Sequence, residues 1–108
     1  MKPHTLSPLT EASYYILISL TEPLHGYGVM KRVEEYSGGR VRLAPGTLYG
    51  ALSTLTRYGL ITVIDDSGRR NKKIYAITEQ GRTLVEYEIR RLEEMCANGR
   101  QAIAAPEE

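Results

Sequence analysis

Residues 45–78 read PGTLYGALSTLTRYGLITVIDDSGRRNKKIYAIT, and this order of one helix followed by two strands decides the fold. Pro45 suits the first turn of a helix, because the backbone N–H that proline lacks has no partner there. Leu48, Leu52 and Leu55 follow at helical spacing and predict a buried face. Gly59 predicts the end of this helix, since glycine readily adopts the conformation that follows many helices.

The opposite face of the same helix is small and smooth apart from one arginine. It consists of Gly46, Gly50, Ser53 and Arg57. Without bulky side chains, the backbone of such a face can approach the floor of a DNA groove. Thr47 and Tyr49 flank it, and their hydroxyls can bond a phosphate, while the threonine methyl can contact thymine. The competing interpretation is a plain buried helix in which Tyr49 belongs to the core.

A basic hairpin is predicted after this helix. Residues 60–64 and 72–77 are typical of strands, and residues 65–68 of the turn between them. The basic side chains of the hairpin are Arg69, Arg70, Lys72 and Lys73. Charged turns are commonly just solvated, but a basic hairpin directly after such a helix favours contact with DNA phosphates.

Two more helices are predicted upstream of residue 45. One spans residues 10–20 with Thr10 as its N-cap, and the other spans residues 26–36 and ends at the Ser-Gly-Gly of residues 37–39. Residues 1–8 contain two prolines and are expected to form a flexible arm. Three helices followed by a basic hairpin predict a mainly α fold with a small β-hairpin, a winged helix-turn-helix over residues 9–78.

A final helix is predicted over residues 79–97, with residues 98–108 as a disordered tail. Its apolar residues recur at spacings of 4, 3 and 4, the pattern of a short coiled-coil seam, so we expect it to pair with its copy in a dimer. The first helix is apolar almost all round, which also favours burial on two sides. The predicted dimer interface comprises Tyr14, Tyr15, Ile18, Val85, Ile89, Leu92 and Cys96.

The composition excludes several other classes of function. The net charge is only +1, so the local basic hairpin matters more than the global sum. A single cysteine and no apolar run long enough to span a membrane predict a cytoplasmic protein without a membrane partner. No arrangement of nucleophile and base, metal ligands or glycine-rich phosphate loop is present, so neither an enzyme nor a bound metal or cofactor is expected.

The chain strongly resembles the PadR family of transcriptional regulators. The segments that carry the resemblance are 22–28 (EPLHGYG), 37–39 (SGG), 46–49 (GTLY), 59–61 (GLI), 73–75 (KIY) and 77–81 (ITEQG). The resemblance covers about residues 9–96 and is closest to the subfamily with one short C-terminal helix. It implies a homodimeric repressor that binds a pseudo-palindromic operator and is released by a small hydrophobic or phenolic effector.

Carried over by position, the resemblance implies DNA contacts for Thr47 and Tyr49 and a basic wing that includes Arg70, Lys72 and Lys73. This chain departs from the family at two positions. Gly50 stands where many members have proline, which leaves a flatter contact surface. Leu92 stands where some drug-binding relatives have tryptophan, which argues against stacking of planar drugs in the same manner. The alternative function is a winged-helix module that binds protein without specific DNA binding.

Overall fold

A computed structural model of the protein describes residues 5–65, 72–104 and 106. The described chain contains α1 (Glu11–Ser19), β1 (Leu24–His25), α2 (Gly26–Tyr36), α3 (Pro45–Arg57), β2 (Ile61–Asp65), β3 (Ile74–Ile77) and α4 (Glu79–Ala104). The predicted fold class, mainly α with a small β-hairpin, is therefore confirmed. The turn predicted at residues 65–68 lies outside the described residues beyond residue 65, as do Arg69 and Arg70.

Local sequence signals account for the helix ends. The Thr10 hydroxyl accepts a hydrogen bond from the backbone N–H of Ser13 at 3.1 Å and caps α1 as predicted. Gly38 and Gly39 have φ values of 62° and 84°, which L side chains rarely adopt, and they stop α2. The Gly39 N–H donates to the Glu34 carbonyl at 2.9 Å, which satisfies one of the last carbonyls of that helix.

The sheet has three antiparallel strands in the order β1-β3-β2. Strand β1 was not predicted, since residues 22–26 look like a simple break between helices. It pairs Leu24 with Tyr75 and His25 with Ile74 of β3. A two-residue strand is too short to show alternation, so sequence periodicity cannot reveal it. The pairing joins the start of α2 to the hairpin.

One apolar core lies among the three upstream helices, the sheet and the first turns of α4. The buried apolar side chains are Ile16, Leu17, Leu20, Val29, Val33, Leu48, Leu52, Leu55, Leu60, Ile61, Tyr75, Leu84 and Val85. The predicted inner face of α3 is confirmed, because its three leucines are all in this cluster. Fully burying one such side chain stabilises the fold by about 1.5–3 kcal/mol.

The start of α4 packs on the turn that ends α3. The Thr78 hydroxyl donates to the Gly59 carbonyl at 2.7 Å and accepts from the Gly81 N–H at 3.1 Å, so Thr78 caps α4 as predicted. A Cβ atom on Gly81 would overlap the Leu60 carbonyl oxygen. This contact requires glycine and sets the direction in which α4 leaves the domain.

Two predicted boundaries are corrected. Helix α4 continues to Ala104, whereas the sequence pattern predicts its end at residue 97 and a disordered tail from residue 98. Most residues after Gly99 are good helix formers, and one exposed glycine is not enough to end the helix. The expected flexible arm is corrected for residues 5–8, because Leu6 packs against the core and the Ser7 hydroxyl is hydrogen-bonded to α4.

Candidate nucleic-acid interface

The predicted DNA-reading face of α3 is exposed. It comprises Gly46, Thr47, Gly50, Ser53 and Arg57. A Cβ atom added to Gly46 or Gly50 would meet no described heavy atom within 4 Å. Packing within the chain therefore does not require glycine at these positions, and the smooth face is available to an external surface.

Tyr49 has a structural role as well, as the competing interpretation of this helix expected, because it is partly buried against the core. Its ring lies against the first residue of α2, where a Cβ atom on Gly26 would be 2.7 Å from the tyrosine hydroxyl oxygen and 2.9 Å from a ring carbon. The side chain is half-buried, in contrast to its exposed neighbour Gly50. Tyr49 thus sets the spacing of α2 and α3 in addition to lining the surface described next.

A groove of about 700 Å³ runs between α3 and the hairpin. It is lined by Tyr49, Ser53, Thr56, Arg57, Val63, Lys73 and Tyr75. Arg57 and Lys73 are the charged members of this lining, and the polar remainder consists of hydroxyl groups. Such a surface suits an anion, because arginine, lysine and hydroxyl donors are the groups that contact nucleic-acid phosphates. We call it the α3–wing groove.

The groove brings together parts of two separate predictions, the helix face and the basic hairpin. Arg57 ends α3 with its guanidinium 5.7 Å from the centre of the Tyr58 ring, and Lys73 directly precedes β3. Lys72 is exposed beside it. Thr56, Val63 and Tyr75 are not among the site residues that the sequence predicts; the signal that points to Val63 and Tyr75 is the alternation of side chains along β2 and β3.

The predicted dimer surface divides into two parts. Ile89, Leu92 and Met95 of α4 have 37%, 41% and 55% of their surface exposed, and Cys96 is exposed beside them. Val85, by contrast, is 8% exposed and belongs to the core of the protomer, so its assignment to the seam is corrected. The reason is that the first turns of α4 cover the sheet, and only the later turns leave it.

Helix α1 contributes aromatic side chains next to this part of α4. Tyr14 and Tyr15 are half-buried and meet edge to face, with ring centres 5.7 Å apart. Burial, assisted by the neighbouring Tyr15, raises the pKa of Tyr14. Ile18 is half-buried against the core. A pocket of about 310 Å³ opens between α1 and α4, lined by Leu9, Glu11, Tyr14, Tyr15, Glu88, Arg91 and Leu92.

Glu88 was not selected from the sequence, yet it is the buried carboxylate of the described chain, 1% exposed. The Arg91 guanidinium donates to both of its oxygens, at 2.8 and 3.2 Å. This arginine, together with the Leu9 N–H and the Ser7 hydroxyl, lowers the pKa of Glu88 despite its burial. Glu88 lies among other charged residues of α4, as expected for a solvated helix face, so the sequence gives no sign that it is buried.

The helices, sheet and groove define the class of protein as a winged helix-turn-helix, with α2 and α3 as the helix-turn-helix and β2 and β3 as the wing. The sequence matches the model of the transcriptional regulator PadR-like family over residues 16–87. The chain therefore belongs to the PadR-like family, whose members are DNA-binding transcriptional regulators and not enzymes.

Known proteins share this domain. A 37.1 kDa protein in transposon TN4556 of Streptomyces fradiae is 38% identical over 79 residues, 72% of this chain and 22% of that protein. The transcriptional regulator YqjI of Escherichia coli strain K12 is 37% identical over 62 residues, 57% of this chain and 29% of that protein. The chain thus spans less than a third of the length of these curated relatives.

A solved structure shows the same architecture. The PadR-like transcriptional regulator from Bacillus cereus strain ATCC 14579 superposes with a TM-score of 0.66 at 19% identity, over 94% of this chain and 97% of that one. At this identity the likeness shows the fold. Within residues 5–65, 72–104 and 106, no helix is long and apolar enough to cross a membrane, and no group of three or more potential ligands could hold a metal ion.

Proposed function

We propose that this protein is a homodimeric repressor that binds a specific pseudo-palindromic operator and is released by a small-molecule effector. The α3–wing groove is the observation that carries the proposal. It joins two cations and several hydroxyl groups from separate elements along one surface, which fits a phosphodiester backbone. Acting on chromosomal DNA, such a regulator belongs in the cytoplasm.

In this mechanism α3 enters the major groove and the wing holds the backbone beside it. The exposed glycines Gly46 and Gly50 let the helix backbone approach the bases closely. Thr47 and Ser53 are then the side chains placed to contact bases or phosphates. Arg57 and Lys73 hold a phosphate in the α3–wing groove, and Lys72 extends the contact along the backbone. By sequence, Arg69 and Arg70 continue the same basic hairpin.

The dimer places two such helices at a fixed separation. The exposed apolar side chains Ile89, Leu92 and Met95 of α4 pair with those of a second copy, beside Tyr14 and Tyr15 of α1. Two α3 helices separated by about 34–36 Å would read half-sites one helical turn apart. Any change in the packing of α4 would alter that separation and therefore the affinity for the operator.

The pocket between α1 and α4 is the candidate site for the effector. Two tyrosine rings and two leucines form its apolar walls, and its charged lining consists of Glu11 and the Glu88–Arg91 pair. This combination suits a small hydrophobic or phenolic compound, since such sites are mostly apolar with few polar groups. A ligand there would act on the dimer contact without touching DNA, as an allosteric effector does.

The first test is the titration of a fluorescent duplex taken from the DNA immediately upstream of this protein's own gene. The titration is made at two salt concentrations and with unrelated DNA as competitor. Tight binding that survives the competitor supports a specific regulator. Binding of equal strength to both duplexes argues against the specific operator, and no binding at low salt overturns the proposal.

A double variant then tests the α3–wing groove directly, with a second double variant as its control. Arg57→Ala with Lys73→Ala should flatten the dependence of log affinity on log salt by about two units, because each lost phosphate contact removes about one. Arg90→Ala with Arg100→Ala removes the same charge from exposed positions of α4 and is the matched control. An unchanged slope for the first pair would favour the rival function, a winged-helix module that binds protein.

A further inference from the structure

The buried carboxylate of Glu88 is fully engaged by hydrogen-bond donors. Its Oε1 atom accepts from the Leu9 backbone N–H at 2.5 Å and from Arg91 at 3.2 Å. Its Oε2 atom accepts from the Ser7 hydroxyl at 3.0 Å and from Arg91 at 2.8 Å. Burial of a charged group is costly without such partners, so this arrangement requires all of them to stay in place.

Two of these donors come from the segment that precedes α1, far from Glu88 in sequence. Ser7 and Leu9 are separated from it by 81 and 79 residues. Leu6 and Leu9 also pack against the apolar core. The segment 6–9 is therefore held to α4 by polar contacts and to the domain by apolar ones.

The same segment faces one side of α3 across a groove. A groove of about 250 Å³ has Leu6, Pro8 and Leu9 on one wall and Gly50, Ala51 and Thr54 of α3 on the other. The wall formed by α3 is adjacent to its exposed face, since Gly50 belongs to both. Segment 6–9 thus touches α4 at one end and borders α3 at the other.

We propose that Glu88 is a positioning residue that latches segment 6–9 to α4, and that this segment transmits the position of α4 to α3. The latch couples the dimer helix to the DNA-reading helix within one protomer. Displacement of α4 pulls on Ser7 and Leu9 and shifts the wall of the groove that faces Gly50 and Thr54. The role in DNA reading rests on the proposed function, whereas the mechanical coupling of α4 to α3 does not.

Backbone hydrogen exchange of the full chain, followed by mass spectrometry, tests the coupling without DNA. Glu88→Gln is the main variant, and Glu86→Gln, which removes an exposed carboxylate from the same helix, is the matched control. We expect exchange about fivefold faster or more in peptides that contain Leu9 and in those that cover residues 49–54, with α2 unchanged. Such selectivity separates a latch from general loss of stability, which would speed all core peptides together.

If Glu88→Gln does not fold, Ser7→Ala serves in its place. Ser7→Ala removes one hydrogen bond to the Glu88 carboxylate and leaves the ion pair of Glu88 with Arg91 intact. It should give the same pattern with smaller changes. Faster exchange at Leu9 with unchanged exchange over residues 49–54 would overturn the coupling, as would equal acceleration across the whole core.

DNA titration separates failure of the latch from failure of the proposed function. Glu88→Gln should reduce the preference for the upstream duplex over unrelated DNA about tenfold, a usual size for coupling between sites. Its salt slope should stay that of the wild type, since no phosphate contact is lost. If the variant keeps the wild-type preference, the role of the latch in DNA reading is overturned, whatever the exchange experiment shows of the mechanical coupling. If the wild type binds neither duplex, the proposed function fails and the exchange result alone decides on the latch.

Discussion

Gly26 and Tyr49 are in direct contact, with the tyrosine ring resting on the glycine at the start of α2. A Cβ atom at position 26 would lie 2.7 Å from the tyrosine hydroxyl oxygen, a separation that real Cβ atoms do not tolerate. The two halves of the helix-turn-helix therefore meet through a residue without a side chain. We therefore expect substitutions at this contact to disturb the packing of α2 on α3.

Gly26→Ala should destabilise the fold by about 1–3 kcal/mol, the usual cost of forcing an extra carbon into a packed site. The ring of Tyr49 must shift to make room for the added carbon. Thermal denaturation measures the loss of stability. In the double variant Gly26→Ala with Tyr49→Ala the clash is absent. The loss of stability caused by Gly26→Ala should therefore vanish when it is measured against Tyr49→Ala alone. An equal cost with and without the tyrosine would show that the contact is not its source.

Gly50→Ala should have the opposite effect on stability. A Cβ atom there meets no described atom within 4 Å, and alanine in place of glycine inside a helix gains about 0.5–1 kcal/mol. Under the proposed function the methyl group also holds α3 off the DNA, so affinity for the upstream duplex should fall. A more stable protein with unchanged DNA affinity would show that this face does not approach the DNA closely. Gly99→Ala, in an equally open place on α4, is the control for stability alone.

The pH dependence of stability should report on Glu88. Its pKa is lowered from an ordinary value of 4.5, so its contribution to the free energy of unfolding is fully present above about pH 5. The contribution is lost as the pH falls through the lowered pKa, because the carboxylate must then be protonated in the folded protein as well. Arg91 on α4 and Glu11, Tyr14 and Tyr15 on α1 line the same pocket. Of these, Glu11 forms an ion pair with Arg40 at 2.7 Å.

Urea unfolding of wild type and Glu88→Gln between pH 7 and pH 3 measures how much Glu88 contributes to the free energy of unfolding at each pH. The variant should be less stable at neutral pH, and the difference should shrink as the pH falls. Glu86→Gln, the exposed control, should follow the wild type. A constant difference between wild type and Glu88→Gln would show that the charge of Glu88 does not stabilise the fold.

The sequence predicted those parts of the molecule that have a local signal. Pro45 and the three leucines of α3 define a helix with an inner and an outer face, and Gly59 ends it. Two features escaped because they depend on distant partners. Strand β1 exists only through its pairing with β3, and Glu88 is buried by a segment about eighty residues away.

In the candidate site, too, the sequence predicts the individual residues but not the contacts between distant parts of the chain. Arg57 and Lys73 were selected separately, one from a helix face and one from a charged turn, but their meeting in a single groove follows from the packing of α3 on the sheet. Val85 was assigned to the seam by its spacing alone. Heptad spacing continues through the point where α4 leaves the core, so periodicity cannot distinguish a residue buried in the protomer from one exposed for a partner.

That division of α4 leads to a prediction about assembly. Leu92 is 41% exposed on the part of the helix that lies beyond the core, so Leu92→Asp should leave the protomer folded while placing a carboxylate in the centre of the proposed dimer seam. An unpaired buried charge opposes association strongly, and the dimer should dissociate at micromolar concentration. Sedimentation velocity measures the mass, and circular dichroism confirms that the helices remain. Thr83→Asp, which adds the same charge at an exposed position near the start of α4, should remain dimeric. A Leu92→Asp protein that stays dimeric would place the seam elsewhere, and with it the separation of the two α3 helices.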